Sequence, residues 1–339
     1  MSGAGGHRRG PVTLVVILDG TLSSLAPGTE TNAGLTWKLL TEGGARPDRF
    51  VFYEAGVQWD GWKSTRDVIT GRGLNRKIER AYGFLASRYR PGDRIFLFGY
   101  SRGAFAVRSL AGAIDSIGLP RSPCATERVV RQAYRHYRCT SDSEAAEEFT
   151  RRYCHTDVVI EMVGVWDTVK ALGLRMPLLW RLTEPRHAFH NHALGQHIRH
   201  GYHALALDET RMAYEPILWE SDGHDGHVEQ RWFEGSHGDI GGQVARRPEA
   251  RGRANLPLQW ILGRAEAHGL DLPSGWRMRF PADADAPSVG TLRGWGKLFL
   301  FRRRRQVGRD PSEVLDASVG PRAAARGMGA EQPAGEVSA

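Results

Sequence analysis

Cysteine is scarce in this chain: Cys124, Cys139 and Cys154 are the only three among 339 residues, and no C-x-x-C pair occurs. Their number and spacing argue against a disulfide framework or a cysteine-built zinc site, and three reduced thiols fit a reducing compartment. Long apolar runs are missing too, and none approaches the roughly 20 residues that a membrane span requires. The basic start, Met1 to Gly10, is followed by no signal-peptide apolar region of the right length. A cytoplasmic protein is therefore expected, with export by a machine that needs no cleaved signal left open. The histidine-rich stretch His187, His190, His192, His197, His200 and His203 contains no H-E-x-x-H frame. A polar helix face is expected there instead of a metal site, and neither a metal nor a cofactor is assigned. The net charge of +8 comes largely from dispersed arginine, so a solvated basic surface is expected, and nucleic acid is not the expected partner.

What the chain does have is an alternation of buried-strand and helix patterns. Val12 to Leu18 is a continuous apolar, β-branched run that ends at Asp19-Gly20-Thr21. Such a run reads as a parallel strand covered on both faces. A helix starting at Thr31-Asn32 follows, then a strand at Phe50–Tyr53, and apolar residues at helical spacing from Leu74 to Tyr89. Pro91-Gly92-Asp93 turns the chain into a strand that ends at Ser101. Residues 120–156 are charged and helix-leaning, which predicts a helical insertion. Val158–Trp166 reads as a strand, Arg186–His203 as a helix, Trp232-Phe233 as a strand end, and Asn255–His268 as an amphipathic helix. Residues 1–11 and 321–339 are expected to be disordered, which leaves 12–320 as one α/β domain with a mostly parallel central sheet flanked by helices.

The chemistry centres on Gly99-Tyr100-Ser101-Arg102-Gly103, a G-x-S-x-G pentapeptide between a predicted strand and a predicted helix. That context is the nucleophile elbow, in which a sharp turn lifts a serine hydroxyl clear of the sheet. A serine nucleophile needs a base, and the base needs an anion to orient it and stabilise the imidazolium. Asp167 follows one predicted strand and His237 another, in the order serine, acid, histidine. The backbone N–H groups of Arg102 and of the Gly20 region are the expected oxyanion donors. Asp19, Thr21 and Asp239 are expected to line the site. A D-x-D-G-T phosphatase loop is excluded, because its nucleophile position is Ile17. Trp295, Leu298 to Phe301 and the run Arg302 to Arg305 pair apolar with basic residues. A late strand followed by a solvated basic turn is the favoured reading, with peripheral contact to an anionic membrane as the other.

Together with Thr31-Asn32, Tyr53-Glu54-Ala55-Gly56-Val57, Gly164-Val165-Trp166-Asp167-Thr168-Val169, His203-Ala204-Leu205-Ala206-Leu207-Asp208-Glu209 and His237-Gly238-Asp239-Ile240-Gly241-Gly242, these motifs appear in a fixed order. The series resembles the α/β-hydrolase family typified by the catalytic domain of type VI secretion phospholipase effectors of the first class. The resemblance implies a Ser-Asp-His triad at Ser101, Asp167 and His237, and a lipid or other ester substrate cleaved through an acyl-enzyme. Two departures lie near the expected mouth of the site: Leu22-Ser23 after Thr21, and Gly56-Val57-Gln58-Trp59 in the second loop. The alternative function is a catalytically inactive basic adaptor of the same fold that binds anionic lipid or nucleic acid.

Overall fold

The computed structural model describes residues 10–56, 72–139, 141–169, 193–222, 226–244, 247–292, 299–321 and 325. The first apolar run forms β1 (Thr13–Leu18), every residue of which is buried. It is followed by α1 (Asn32–Thr41), β2 (Arg49–Glu54), α2 (Arg72–Arg88), β3 (Arg94–Tyr100) and α3 (Arg102–Ile117). Thr31 starts α1 by accepting the Gly34 N–H on its hydroxyl at 3.0 Å, one of the donors that a helix start leaves unpaired. Next come β4 (Leu119–Pro120), α4 (Glu127–Cys139), α5 (Glu144–Tyr153), β5 (Cys154–His155) and β6 (Ile160–Trp166). The chain then runs through β7 (Ile198–Ala206), β8 (His227–Phe233), α6 (His237–Gly241), α7 (Arg251–Ala267) and β9 (Glu313–Leu315).

Seven of these strands form one sheet in the order β2-β1-β3-β6-β7-β8-β9, and every pairing in it is parallel. Because side chains alternate along a strand, β1 serves two cores at once. Leu14, Val16 and Leu18 pack with apolar residues of α2 to α5, while Val15 and Ile17 pack with those of α1 and α7. Coverage on both faces explains why the strands read as continuous apolar runs. The chain steps from β1 to β2 on one side and returns to β3 on the other. The crevice outside the carboxyl ends of β1 and β3 is therefore a topological switch point, where open α/β sheets place their sites.

Three expectations need correction. Residues 198–206 are not helical but form β7, paired in register with β6 and β8. The alanine- and histidine-rich composition leans toward helix, but two flanking strands and a buried position override that weak preference. On its side chains, His200 stacks on His268 at 3.6 Å between centroids, and Tyr202 meets the same imidazole at 2.8 Å. His187, His190 and His192 lie outside the described residues. The 120–156 insertion contains the expected helices, but it is closed by the antiparallel pair β4–β5. Finally, the last strand is β9, not the Leu298–Phe301 region, of which Trp295 and Leu298 lie outside the described residues. Nor is the basic run after it simply solvated. Arg302 donates to Thr210 at 2.9 Å, Arg303 to Glu215 at 2.7 Å, and Arg305 is buried.

The first turn of α3 packs on the end of β1 so closely that a β-carbon on Gly103 would collide with the backbone of Leu18 and Asp19. Gly83, inside α2, has only ordinary contact with Val130 at 3.8 Å. Gly103→Ala is expected to destabilise the protein by about 1–3 kcal/mol through overpacking. Gly83→Ala should be neutral or stabilising by roughly 0.5–1 kcal/mol, since alanine loses less freedom in a helix. Urea unfolding midpoints of the two variants check the contrast, and equal midpoints contradict it.

Candidate active site

Ser101 joins β3 to α3 with φ 57° and ψ −119°, a conformation that side chains other than glycine rarely adopt. Strain of this kind costs about 1–3 kcal/mol and persists only where the surroundings enforce it. Here the enforcement is visible. The Ser101 N–H donates to the Trp166 carbonyl at 3.0 Å, its own carbonyl accepts from Phe105 at 3.2 Å, and a β-carbon on Gly99 would meet the Gly103 carbonyl at 2.6 Å. The hydroxyl stands at the amino end of a 16-residue helix, where unpaired N–H groups and the helix dipole favour negative charge.

His237 opens α6 and faces the serine. Its Nε2 lies 2.9 Å from Ser101 Oγ, and its Nδ1 lies 2.5 Å from Asp167 Oδ2. The imidazole is held between the Tyr100 ring, 5.0 Å away, and the Tyr214 ring, 4.8 Å away. Its backbone N–H donates to Glu209 at 3.2 Å, and Glu209 is in turn gripped by Arg211 through Nε at 2.8 Å and Nη2 at 2.6 Å. Burial lowers the proton affinity of His237 below the ordinary imidazole value, against the opposing pull of Asp167.

Asp167 caps β6 and is fully buried. Besides the imidazole it accepts from Arg305 Nη1 at 2.6 Å, from Arg305 Nη2 at 2.9 Å and from the Ala206 N–H at 3.0 Å. Burial alone would raise its pKa. The Arg305 charge and the hydrogen bonds from His237 and Arg305 outweigh burial and hold it well below the usual carboxylate range.

The structure thus brings Ser101, His237 and Asp167 into one hydrogen-bonded line, with the first turn of Arg102 beside the hydroxyl. The other predicted positions divide. The Gly20 N–H is taken by its neighbour's carboxylate, Asp19 Oδ1, at 2.6 Å, so it is not available as an oxyanion donor. Asp19 is buried and accepts from Thr31 at 2.7 Å and Tyr53 at 2.8 Å; burial raises its pKa in spite of these bonds. It ties the first loop to α1 and β2. Thr21 receives the Arg102 guanidinium on its hydroxyl, with Nε at 2.6 Å, and so holds that side chain beside the elbow. Asp239 does not line the site. Its oxygens accept from Ser236 N at 2.7 Å, Ser236 Oγ at 2.8 Å, Ser288 Oγ at 2.5 Å and Val289 N at 2.8 Å, so it clips the start of α6 to a distant loop. Gln58 and Trp59 lie outside the described residues.

Arg305, Tyr100 and Tyr214 around the acid and base are not picked out by motif spacing, although Tyr100 sits inside the pentapeptide. One other cluster, Glu161, His200 and His268 at the amino end of the sheet, brings possible ligand atoms within 4.8 Å of one another. The two imidazoles there are stacked with planes only 15° apart. One ion could not lie in both ring planes, and the pair is accounted for by ring stacking.

The chain is similar to several known proteins. An uncharacterized protein of Saccharomyces cerevisiae, YEL023C, is 28% identical over 239 residues, covering 63% of this chain and 33% of the yeast protein. The chain thus spans about a third of that relative's length. A crystal structure of an uncharacterized protein from Pseudomonas aeruginosa aligns with 80% of this chain and 49% of its own, at 17% identity and a TM-score of 0.45. The Tle1 effector bound to the VgrG spike of the type 6 secretion system aligns with 68% of this chain and 51% of its own, at 16% identity and a TM-score of 0.35. Residues 12–264 match the family described as "T6SS, Phospholipase effector Tle1-like, catalytic domain". With three quarters of its length in that match, the chain belongs to the Tle1-like catalytic domain family.

Proposed function

We propose that this chain is a serine hydrolase of carboxylic esters, with lipid or phospholipid acyl esters as its substrate class. The observation that carries the reading is the line of hydrogen bonds from Ser101 Oγ through His237 to Asp167 at the carboxyl end of the sheet. Membership of a family described by phospholipase effectors supports the lipid class.

In this mechanism His237 Nε2 takes the hydroxyl proton as Ser101 Oγ attacks the ester carbonyl carbon. The oxyanion of the tetrahedral intermediate faces the Arg102 N–H at the positive end of α3. The imidazolium returns its proton to the leaving alcohol, and an acyl-Ser101 remains. Water, deprotonated by the same imidazole, then releases the carboxylic acid and restores the serine. Asp167 keeps the Nδ1 proton in place, so that Nε2 is the basic nitrogen throughout. The adaptor reading is not favoured, because Arg302, Arg303 and Arg305 are engaged within the chain.

Ser101→Ala is expected to lower kcat on an activated ester by roughly three to six orders of magnitude. A fluorophosphonate probe should label the wild type and not the variant, and a phospholipid panel read by mass spectrometry identifies the bond that is cut. An unlabelled wild-type serine sinks the mechanism. The base must be neutral to act, so kcat/KM rises with pH as His237 loses its proton. Because burial lowers that proton affinity, the midpoint of the rise should lie below the ordinary value of 6.5. A pH–rate profile with its acid midpoint above that value contradicts the assignment.

A further inference from the structure

Arg305 closes a run of four arginines and lies beyond residue 264, where the family match ends. Its side chain is only 5% exposed, and it spans Asp167 with one nitrogen on each carboxylate oxygen. The same two nitrogens also donate to the carbonyls of Ala206, at 2.8 Å, and Tyr214. A planar guanidinium with fixed donors can make these four contacts together, whereas an ammonium is a single point of charge.

The segment that delivers Arg305 is built into the fold. Phe301 and Arg303 bond to the backbone of Met212 and Thr210, and β9 pairs with β8 from Gln230 to Trp232. Asp310 accepts from Ser221 N at 2.9 Å and Ser221 Oγ at 2.7 Å, and the Trp232 indole donates to Glu313 at 2.8 Å. The arginine therefore arrives on an anchored strap, held on both sides of residue 305.

We propose that Arg305 is the positioning residue of the Ser101–His237–Asp167 triad, and that the strap carrying it is part of the catalytic unit. This inference rests on the serine-hydrolase reading. Arg305 acts through Asp167 and touches no reacting atom. Oδ2 of Asp167 accepts from both Arg305 and His237, so the guanidinium charge opposes protonation of the imidazole that shares its oxygen. The groups facing His237 are Asp167 from β6, Glu209 and Arg211 from the loop after β7, and the rings of Tyr100 and Tyr214. Glu209 and Arg211 are paired with each other, which leaves Arg305 as the counterweight to the acid. Without it the Asp167 charge is answered by His237 alone. The imidazolium is then favoured, and the base is lost to protonation at a higher pH.

The test compares wild type, Arg305→Lys and Arg305→Met. Arg305→Met should lower kcat on an activated ester by roughly 100-fold through misplacement of the acid. It should also move the acid midpoint of kcat/KM upward by about one pH unit. Arg305→Lys keeps the charge and loses the fork, so its midpoint should stay near wild type while kcat falls. A folded Arg305→Met with unchanged kcat and midpoint overturns the proposal. A fall in kcat with the midpoint unmoved does so too, since that is what a merely structural role gives. If Arg305→Met does not fold, Arg305→Lys decides, and wild-type kcat in that variant overturns the need for a fork. The Nδ1–H proton resonance of His237, followed against pH in each protein, reports the midpoint without turnover. A failed fluorophosphonate reaction would therefore count against the hydrolase reading and leave Arg305 to be judged by this resonance.

Discussion

A carboxylate charge with no exposure to water is tolerated only when several donors meet it, and Asp167 is such a charge. Four pieces of chain converge to satisfy it: the end of β6 that bears it, the Ala206 N–H at the end of β7, the His237 imidazole at the start of α6, and the Arg305 fork on the strap before β9. Each is placed by a sheet strand or by a segment tied to one. The sheet order thus sets up the electrostatics, since β6 and β7 are neighbours and β8 adjoins both β7 and β9. Once the anion is held, its partner imidazole has one available orientation, with Nε2 toward the serine.

Backbone strain is concentrated at the same place. Ser101 and Asp167 both have positive φ without being glycine, at 57° and 43°, and they follow paired residues Tyr100 and Trp166 of adjacent strands. The Ser101 N–H is bonded to Trp166, the residue before the acid. The two strained turns therefore hold each other, and the packing of Gly103 on β1 fixes the first of them from the far side. Backbone contacts thus hold the strained conformations of Ser101 and Asp167, and side-chain donors hold the Asp167 carboxylate.

Parts of this were legible in the amino acids and parts were not, for physical reasons. Strands buried on both faces announce themselves as apolar runs, and Ser101 and Asp167 stand out because each follows such a run, whereas His237 stands out by its glycine-rich turn after Trp232-Phe233. β7 was hidden because His200, Gly201 and Ala204 have no local preference for a strand; its neighbours impose it. Spacing does not encode the roles of the Gly20 N–H and Asp239, because hydrogen bonds to the nearest carboxylate or hydroxyl decide them. Arg305 was invisible for a different reason. In a run of arginines one member looks like another, and its partner is 138 residues away.

That separation has a temporal side. A chain emerging from a ribosome completes the strand ending at Trp166 long before residue 305 exists. At about 5–20 residues per second the acid waits on the order of 10 s for its counter-ion. Until then the carboxylate has reason to stay hydrated and the pocket around it has reason to stay open. The hydrogen-bonded cluster around Asp167 is thus a late product of the chain's synthesis, completed by the same strap that adds β9 to the sheet.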